Sequence, residues 1–408
     1  MSQTILLYGA TGFSGRLIAA EGRQAGLAAR DGAIDCRMIL AARDGKSLAA
    51  LGKQYGMEYR AFSLDHRDEV RRRLGGIDVV INAAGPFART ADRLAKDALA
   101  VGSHYVDING EVDVYKALDD FGHYAEERQV AMVCSAGCMA AASDLLLAAA
   151  LDHLRTGMDP KSYLELGAVR IAMSITMNPS RGTAATLWRS LREQVTVVRL
   201  RETDDGTGNV RREPTLWHEP VGKLERTFDF RDHSRETTPR AERPKTDLRI
   251  TSAANVVDTL TARLTVARQR CSAKTIESYV EAGTAARIGY QVGSLLAPFA
   301  AIPVVDFLVR QQIELLPTGP TAQEIRDERQ IVLLEVEDPF RTKVINWRWD
   351  IPNPYQFTAQ VVVEIAKAIA LGKFVGWLTP GAILRLSKAQ LTSTEGALRG
   401  CRLDDRNT

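Results

Sequence analysis

Ile5-Leu-Leu-Tyr-Gly-Ala-Thr-Gly-Phe-Ser-Gly15 decides the fold. Residues 5–8 form a short apolar run of the kind found in a strand buried on both faces. The run breaks into glycines at 9, 12 and 15, and residues 16–24 then carry a helical pattern. Strand, glycine turn and helix in that order cradle a dinucleotide. Gly9 permits the tight turn, Gly12 lets a pyrophosphate approach the backbone, and Gly15 lets the helix pack on the strand with its amide-rich N-terminus facing the phosphates. Thr11 and Phe13 stand between the glycines and share the contact. The spacing is Gly-x-x-Gly-x-x-Gly, so the motif draws its weight from its place directly after an N-terminal strand.

Working outward, apolar runs of strand length recur at 36–42, 58–64, 77–83, 104–108 and 130–134, separated by helical patterns. With the first run this gives an α/β fold, a doubly wound parallel sheet whose ligand lies outside the carboxyl ends of the strands. The unusual residues fall at those ends: the glycines, Arg43, Asp65, Asn82 with Ala84, Gly85 and Pro86, Asp107, and Ser135 with Gly137. Arg43, with Lys46 and Ser47 behind it, suits a ribose 2′-phosphate and favours NADP(H) over NAD(H), while Asp44 keeps the NAD reading open. Asp65 is placed either to touch the adenine amino group or to form a turn.

At 408 residues the chain exceeds one ordinary core and reads as two or three domains. Hydrophobic residues make up 45% and charged residues 25%, and a net charge of +3 gives no reason to invoke nucleic acid. The five cysteines are odd in number and scattered, and no secretory signal precedes the first strand, so a reducing, cytoplasmic setting is expected. Cys134 and Cys138 have no partner pair at zinc spacing, and no metal site is expected.

Beyond the sixth strand the pattern changes. A long apolar helix at 145–154 leads out of the nucleotide domain. Residues 201–249 are polar and read as an exposed loop, hairpin or lid. Residues 285–316 are strongly apolar, but Pro298, Pro303 and Asp306 interrupt them too often for a membrane span; they suit a core, a substrate wall or a peripheral lipid contact. Residues 330–336 and 344–349 alternate like an antiparallel pair with Trp347 and Trp349 on one face. Residues 356–371 and 381–390 read as helices, and the tail from Gly400 as loose. The expected division is 1–140, 141–352 and 353–408.

Tyr8-Gly-Ala-Thr-Gly-Phe-Ser-Gly15, Ala41-Ala-Arg43, Asn82-Ala-Ala-Gly-Pro-Phe87, Tyr105-Val-Asp-Ile-Asn-Gly-Glu111 and Arg181-Gly-Thr-Ala-Ala-Thr186 together carry a family likeness. The chain resembles the saccharopine dehydrogenase-like NAD(P)-binding oxidoreductases, and among them most closely the bacterial members that include trans-acting enoyl reductases. The resemblance implies an N-terminal Rossmann domain, a second α+β domain for substrate and dimerisation, and C-terminal helices packing back on the first domain; a homodimer is the expected assembly. Two departures fall near the implied substrate pocket. Gly137-Cys138 replaces a Gly-Phe-Asp-like turn and Arg181-Gly182 replaces paired glycines, which makes Cys138 and Arg181 substrate candidates.

Hydride transfer is supplied by a nicotinamide cofactor, so the protein must position, polarise and protonate. The chain has no Tyr-x-x-x-Lys pair of the short-chain dehydrogenase kind. Asp107, Glu111 and Tyr105 remain as acid-base candidates, with helix capping the alternative for Glu111 and an exposed arginine the alternative for Arg181. The expected function is NADPH-dependent reduction of a C=C or C=N bond in a hydrophobic small molecule or acyl-carrier-bound substrate. An amino-acid-type dehydrogenase forming or cleaving a secondary amine, and a non-catalytic NADP-binding lipid-associated protein, are the alternatives.

Overall fold

The computed structural model describes residues 2–28, 35–174, 179–190, 194–204, 210–220, 224–232, 248–253, 256–281, 303–392 and 398–407. The first sheet contains β1 (Gln3–Tyr8), β2 (Cys36–Ala42), β3 (Glu58–Ala61), β4 (Val79–Asn82), β5 (His104–Asp107) and β6 (Ala131–Val133). Helices α1 (Phe13–Gln24), α2 (Gly45–Tyr55), α3 (Arg67–Leu74), α4 (Phe87–Ala100), α5 (Val112–Asp119) and α6 (Phe121–Glu127) connect them. Every strand pair is parallel, in the order β6-β5-β4-β1-β2-β3. Ile5, Leu6, Val79, Val80 and Ile81 are completely buried, which is why these strands read as unbroken apolar runs. The strand order reverses between β1 and β4, so the crevice of a doubly wound sheet opens above their carboxyl ends.

α7 (Cys138–Leu154) carries the chain out of this sheet and is buried almost all round. The second sheet follows: β7 (Leu164–Met173), then α8 (Arg181–Ser190), β8 (Gln194–Asp204), β9 (Val210–Pro220), β10 (Glu225–Asp229), β11 (Leu248–Ala253), α9 (Val256–Arg268) and β12 (Cys271–Glu281). Next come α10 (Pro303–Leu315), α11 (Ala322–Asp327), β13 (Arg329–Glu337) and β14 (Lys343–Pro352). Among the described residues this sheet runs β10-β11-β12-β7-β13-β14, with the β8–β9 hairpin attached to β12. The polar stretch 201–249 therefore includes hairpin and strands, while 205–209, 221–223 and 233–247 lie outside the described residues. β13 and β14 form the antiparallel pair anticipated from their alternation. Trp347 and Trp349 face the core with no exposure, and Trp349 Nε1 donates to the Leu391 carbonyl at 2.8 Å.

α12 (Pro354–Leu371) returns to the first domain and packs on α1, α7, β1, β4 and β5. Three features depart from the sequence reading, the first being that the helix read over 381–390 ends at Leu384, where Arg385 turns into the left-handed region at φ 43°. β15 (Gly376–Leu378), followed by α13 (Pro380–Leu384), pairs in parallel with β6 and completes a seven-stranded sheet, where only helices were expected. Three residues are too few to display a period. The tail is not loose either: β16 (Arg402–Asp405) pairs with β14, and Arg402 bonds Asp350 Oδ2 at 2.9 Å and also Asp232. Its polar composition is that of a strand held by ion pairs rather than by apolar burial.

The apolar stretch 285–316 is described only from residue 303. There α10 exposes Val304, Phe307 and Leu315 by 60% or more, so this part of the stretch is not core. No helix among the described residues is long and apolar enough to cross a membrane.

Candidate active site

The glycine loop is set by contact. A Cβ on Gly15 would lie 2.1 Å from the Gly9 carbonyl oxygen, so only glycine lets α1 approach β1 this closely. Gly9 has φ +88°, and a Cβ there would sit 2.7 Å from Ala83 C and Ala84 N. Gly12 is different: it is exposed, its φ of −73° suits any residue, and it N-caps α1 without a side-chain cap. The first turn of α1 holds no acidic residue. Open amides at a helix N-terminus with no carboxylate among them fit a pyrophosphate. Thr11 contributes its carbonyl to the Arg16 Nε at 3.0 Å, which fixes the loop from behind.

At the end of β2, Arg43 is exposed and makes no hydrogen bond or ion pair among the described residues. Asp44 is committed: it N-caps α2, accepting the Lys46 amide at 3.0 Å and the Ser47 amide at 3.4 Å, and it takes the Ser47 hydroxyl as well. Those bonds hold its carboxyl below the ordinary carboxylate range. Asp65 accepts the Ser63 hydroxyl at 2.5 Å and pairs with Arg93 at 3.4 Å, so it braces its own turn at the exposed rim.

Over β4 and β5 the candidates interlock. Asn82 is buried; its Oδ1 accepts the Ala84 amide at 3.1 Å and its Nδ2 donates to the Tyr105 hydroxyl at 3.1 Å. Thr90 Oγ1 donates to the Ala84 carbonyl at 2.6 Å, fixing the Ala84-Gly85-Pro86 loop from its other side. Glu111 caps a helix, but not the one it precedes: Oε1 and Oε2 accept the Phe87 and Ala88 amides of α4, each at 3.1 Å. Asp107 has no exposure; Oδ1 accepts the Ser135 amide at 2.8 Å and the Asn109 amide at 3.0 Å. Burial pushes its carboxyl up to about 6 despite those amides, and burial pushes the Tyr105 phenol well above its ordinary range. All three acid-base candidates thus lie beneath the crevice floor and brace its strand ends.

The start of α12 and the second-domain residues Ser180, Thr183 and Gly319 supply the opposite wall. Tyr355, in the first turn of α12, meets the Phe13 ring edge-on at a centroid distance of 5.0 Å. Gly319 lies so close to the same ring that a Cβ there would come within 2.5 Å of it. The Tyr355 hydroxyl accepts the Ser180 amide at 2.5 Å and shares a hydrogen with Thr183 Oγ1 at 2.9 Å. Arg181 is drawn away from the crevice: Nε donates to the Leu316 carbonyl at 2.6 Å and Nη1 pairs with Glu314. Cys138 is buried, with Sγ on Gln330 Oε1 at 3.1 Å and its thiol pushed well above the ordinary range by burial. The structure therefore sets the glycine loop and Ala84 at one crevice with Asn82, Asp107 and Cys138 buried beneath it, and leaves Arg181 tied to the α10 side. The sequence reading singled out Ser135 at its strand end but neither Tyr355 nor Thr183. Tyr355 had one signal, its place just after Asn353-Pro354, a helix start with Asn as N-cap.

Comparison with known proteins agrees with this geometry. A family model described as the saccharopine dehydrogenase NADP binding domain matches residues 5–134. Saccharopine dehydrogenase (L-Glu forming) from Saccharomyces cerevisiae superposes with a TM-score of 0.55 over 93% of this chain and 94% of its own, at 13% identity. Homospermidine synthase from Legionella pneumophila, solved with NAD, also gives 0.55 over 94% of this chain and 87% of its own, at 11% identity. No curated protein sequence matches. The first domain is thus a nucleotide-binding domain of the saccharopine dehydrogenase type. The chain as a whole has the saccharopine dehydrogenase-like fold.

Proposed function

We propose that the chain is an NADPH-dependent oxidoreductase that reduces a C=C or C=N bond of a hydrophobic or carrier-bound metabolite, in the manner of an enoyl reductase. The bound cofactor supplies the hydride. The observation that carries the NADPH preference is the contrast at the end of β2, where Arg43 is exposed and makes no hydrogen bond among the described residues while Asp44 is consumed in capping α2. A carboxylate tied to helix amides is not available to both ribose hydroxyls, whereas a free guanidinium matches a 2′-phosphate. The Ala84-Gly85-Pro86 loop and the Asn82 amide shape the nicotinamide half, and Asp107, Glu111 and Tyr105 hold that half in place from below.

The substrate class is supported by two features. The sequence lacks the Tyr-x-x-x-Lys pair that protonates a carbonyl oxygen, and α10, beside the crevice wall, presents Val304, Phe307 and Leu308 outward. Secondary-amine chemistry needs cations converging on substrate carboxylates. Arg181, the candidate for that work, is engaged by Leu316 and Glu314. The test is anaerobic mixing with NADPH in three arms: a trans-2-enoyl thioester, a cyclic imine, and lysine with a 2-oxo acid. Nicotinamide absorbance falling in the first or second arm is expected. Oxidation confined to the third would replace this reading with the amino-acid dehydrogenase.

A further inference from the structure

The first turn of α12 spans the crevice from one side to the other. Tyr355 packs on Phe13 of the glycine loop, and one turn later Thr358 Oγ1 accepts the Cys138 amide at 2.9 Å, at the start of α7 beyond β6. β4 and β5 lie between β1 and β6 and α12 packs on both, so its first turn runs from the β1 end at Tyr355 toward the half of a doubly wound crevice that receives the second nucleotide. Tyr355 is partly exposed there, whereas Tyr105 and Asp107 are fully buried.

The surroundings of the hydroxyl are those of a proton donor rather than a packing residue. The Ser180 amide donates into the phenolic oxygen at 2.5 Å, which occupies an acceptor site and stabilises negative charge on that atom. Thr183 Oγ1 lies at 2.9 Å from the phenol and 3.1 Å from Ser180 Oγ, so three hydroxyls stand in a row. Thr183 is itself partly exposed, which connects the row to solvent. Asn353 fixes the turn from behind, accepting the Tyr355 amide at 3.0 Å and donating to Glu328 at 2.6 Å.

We infer that Tyr355 delivers the proton in the reduction proposed above, with Ser180 and Thr183 positioning and recharging its hydroxyl; the inference rests on that reading of the crevice. One end of the substrate double bond gains the hydride and the other gains the phenolic proton. The O–H bond of Tyr355 breaks with its electron pair left on oxygen. Thr183 returns a proton drawn from solvent, so each bond reduced consumes one hydride and one proton.

Tyr355→Phe keeps the ring against Phe13 and removes only the hydroxyl. It is expected to lower kcat by about 10²–10⁴-fold while NADPH affinity holds and the melting temperature falls slightly through loss of the Ser180 and Thr183 hydrogen bonds. Thr183→Val is expected to lower kcat less, and to add nothing in the Tyr355→Phe background. A readout independent of turnover uses protein labelled at tyrosine 13Cζ. The resonance lost in Tyr355→Phe should shift between the NADPH and NADP+ complexes, because the nicotinamide ring changes charge beside it. An unmoved resonance, or a Tyr355→Phe variant with wild-type kcat, overturns the inference. A shifted resonance in a protein that oxidises NADPH in none of the three substrate arms removes the reductase reading, and the proton transfer with it, while leaving Tyr355 at the cofactor.

Discussion

Glu111 Oε1 accepts the backbone amide of Phe87 at 3.1 Å, across 24 residues of sequence, and so closes the N-terminus of a helix from a different strand end. The Ala88 amide on Oε2 completes a two-point cap. A carboxylate here complements the dipole of α4 and holds the Gly85-Pro86 loop that borders the crevice. Glu111→Gln retains the shape and loses the charge. It is expected to cost about 1–2 kcal/mol in denaturant unfolding and to raise KM for the cofactor more than it lowers kcat.

Arg43 and Asp44 divide the ends of β2 and α2 between cofactor and cap. Arg43→Ala should weaken NADPH by roughly 10- to 100-fold, the value of one charged hydrogen-bonding partner, and leave NADH nearly unchanged. Fluorescence titration with both nucleotides reads the ratio. Equal losses for the two would show that Arg43 contacts something other than the 2′-phosphate.

Gly12 separates binding from folding. Its backbone conformation suits any residue and aspartate is a favoured N-cap, which offsets the 3.3 Å approach of a Cβ to the Gly9 carbonyl oxygen, so Gly12→Asp should leave the melting temperature nearly unchanged. The same carboxylate occupies the place where phosphate must approach, so NADPH binding should be lost. A variant that binds normally would move the pyrophosphate away from this loop.

Asp107 gives the fold a pH dependence of defined sign. Its carboxyl titrates at about 6 in the folded protein against an ordinary 3.8, so the folded state holds the proton more tightly than the unfolded chain. Stability from this group is therefore fully present below about pH 4 and is withdrawn as pH rises to about 6, by roughly 3 kcal/mol. Asp144 on α7, likewise buried and raised to about 6, acts in the same direction. Asp107→Asn keeps an acceptor for the Ser135 and Asn109 amides. Unfolding free energies measured between pH 4.5 and 7 should fall less steeply in this variant than in the wild type.

The nucleotide half of the molecule was legible because a parallel sheet covered on both faces forces apolar runs and glycine turns into the sequence. Ile5 to Tyr8 are dictated by burial, and Gly9 and Gly15 by sub-3 Å backbone approach, and both leave local marks. The remainder depended on partners far along the chain. Capping by Glu111 was readable as a role, but nothing near it names α4 as the helix capped. Arg181 looked free because Leu316, 135 residues away, is invisible to local reading. Tyr355 and Ser180 meet across 175 residues. β15 and β16 are short pieces whose pairing is fixed by neighbours rather than by their own pattern.

The proposed seat of NADPH is the crevice between the glycine loop and the first turn of α12. Hydrogen–deuterium exchange with and without NADPH tests it most directly. Added protection is expected together in peptides covering residues 9–16, 82–88 and 180–184, and at 355–358. Protection confined to the glycine loop, with α8 and α12 unchanged, would contradict a site closed by the second domain.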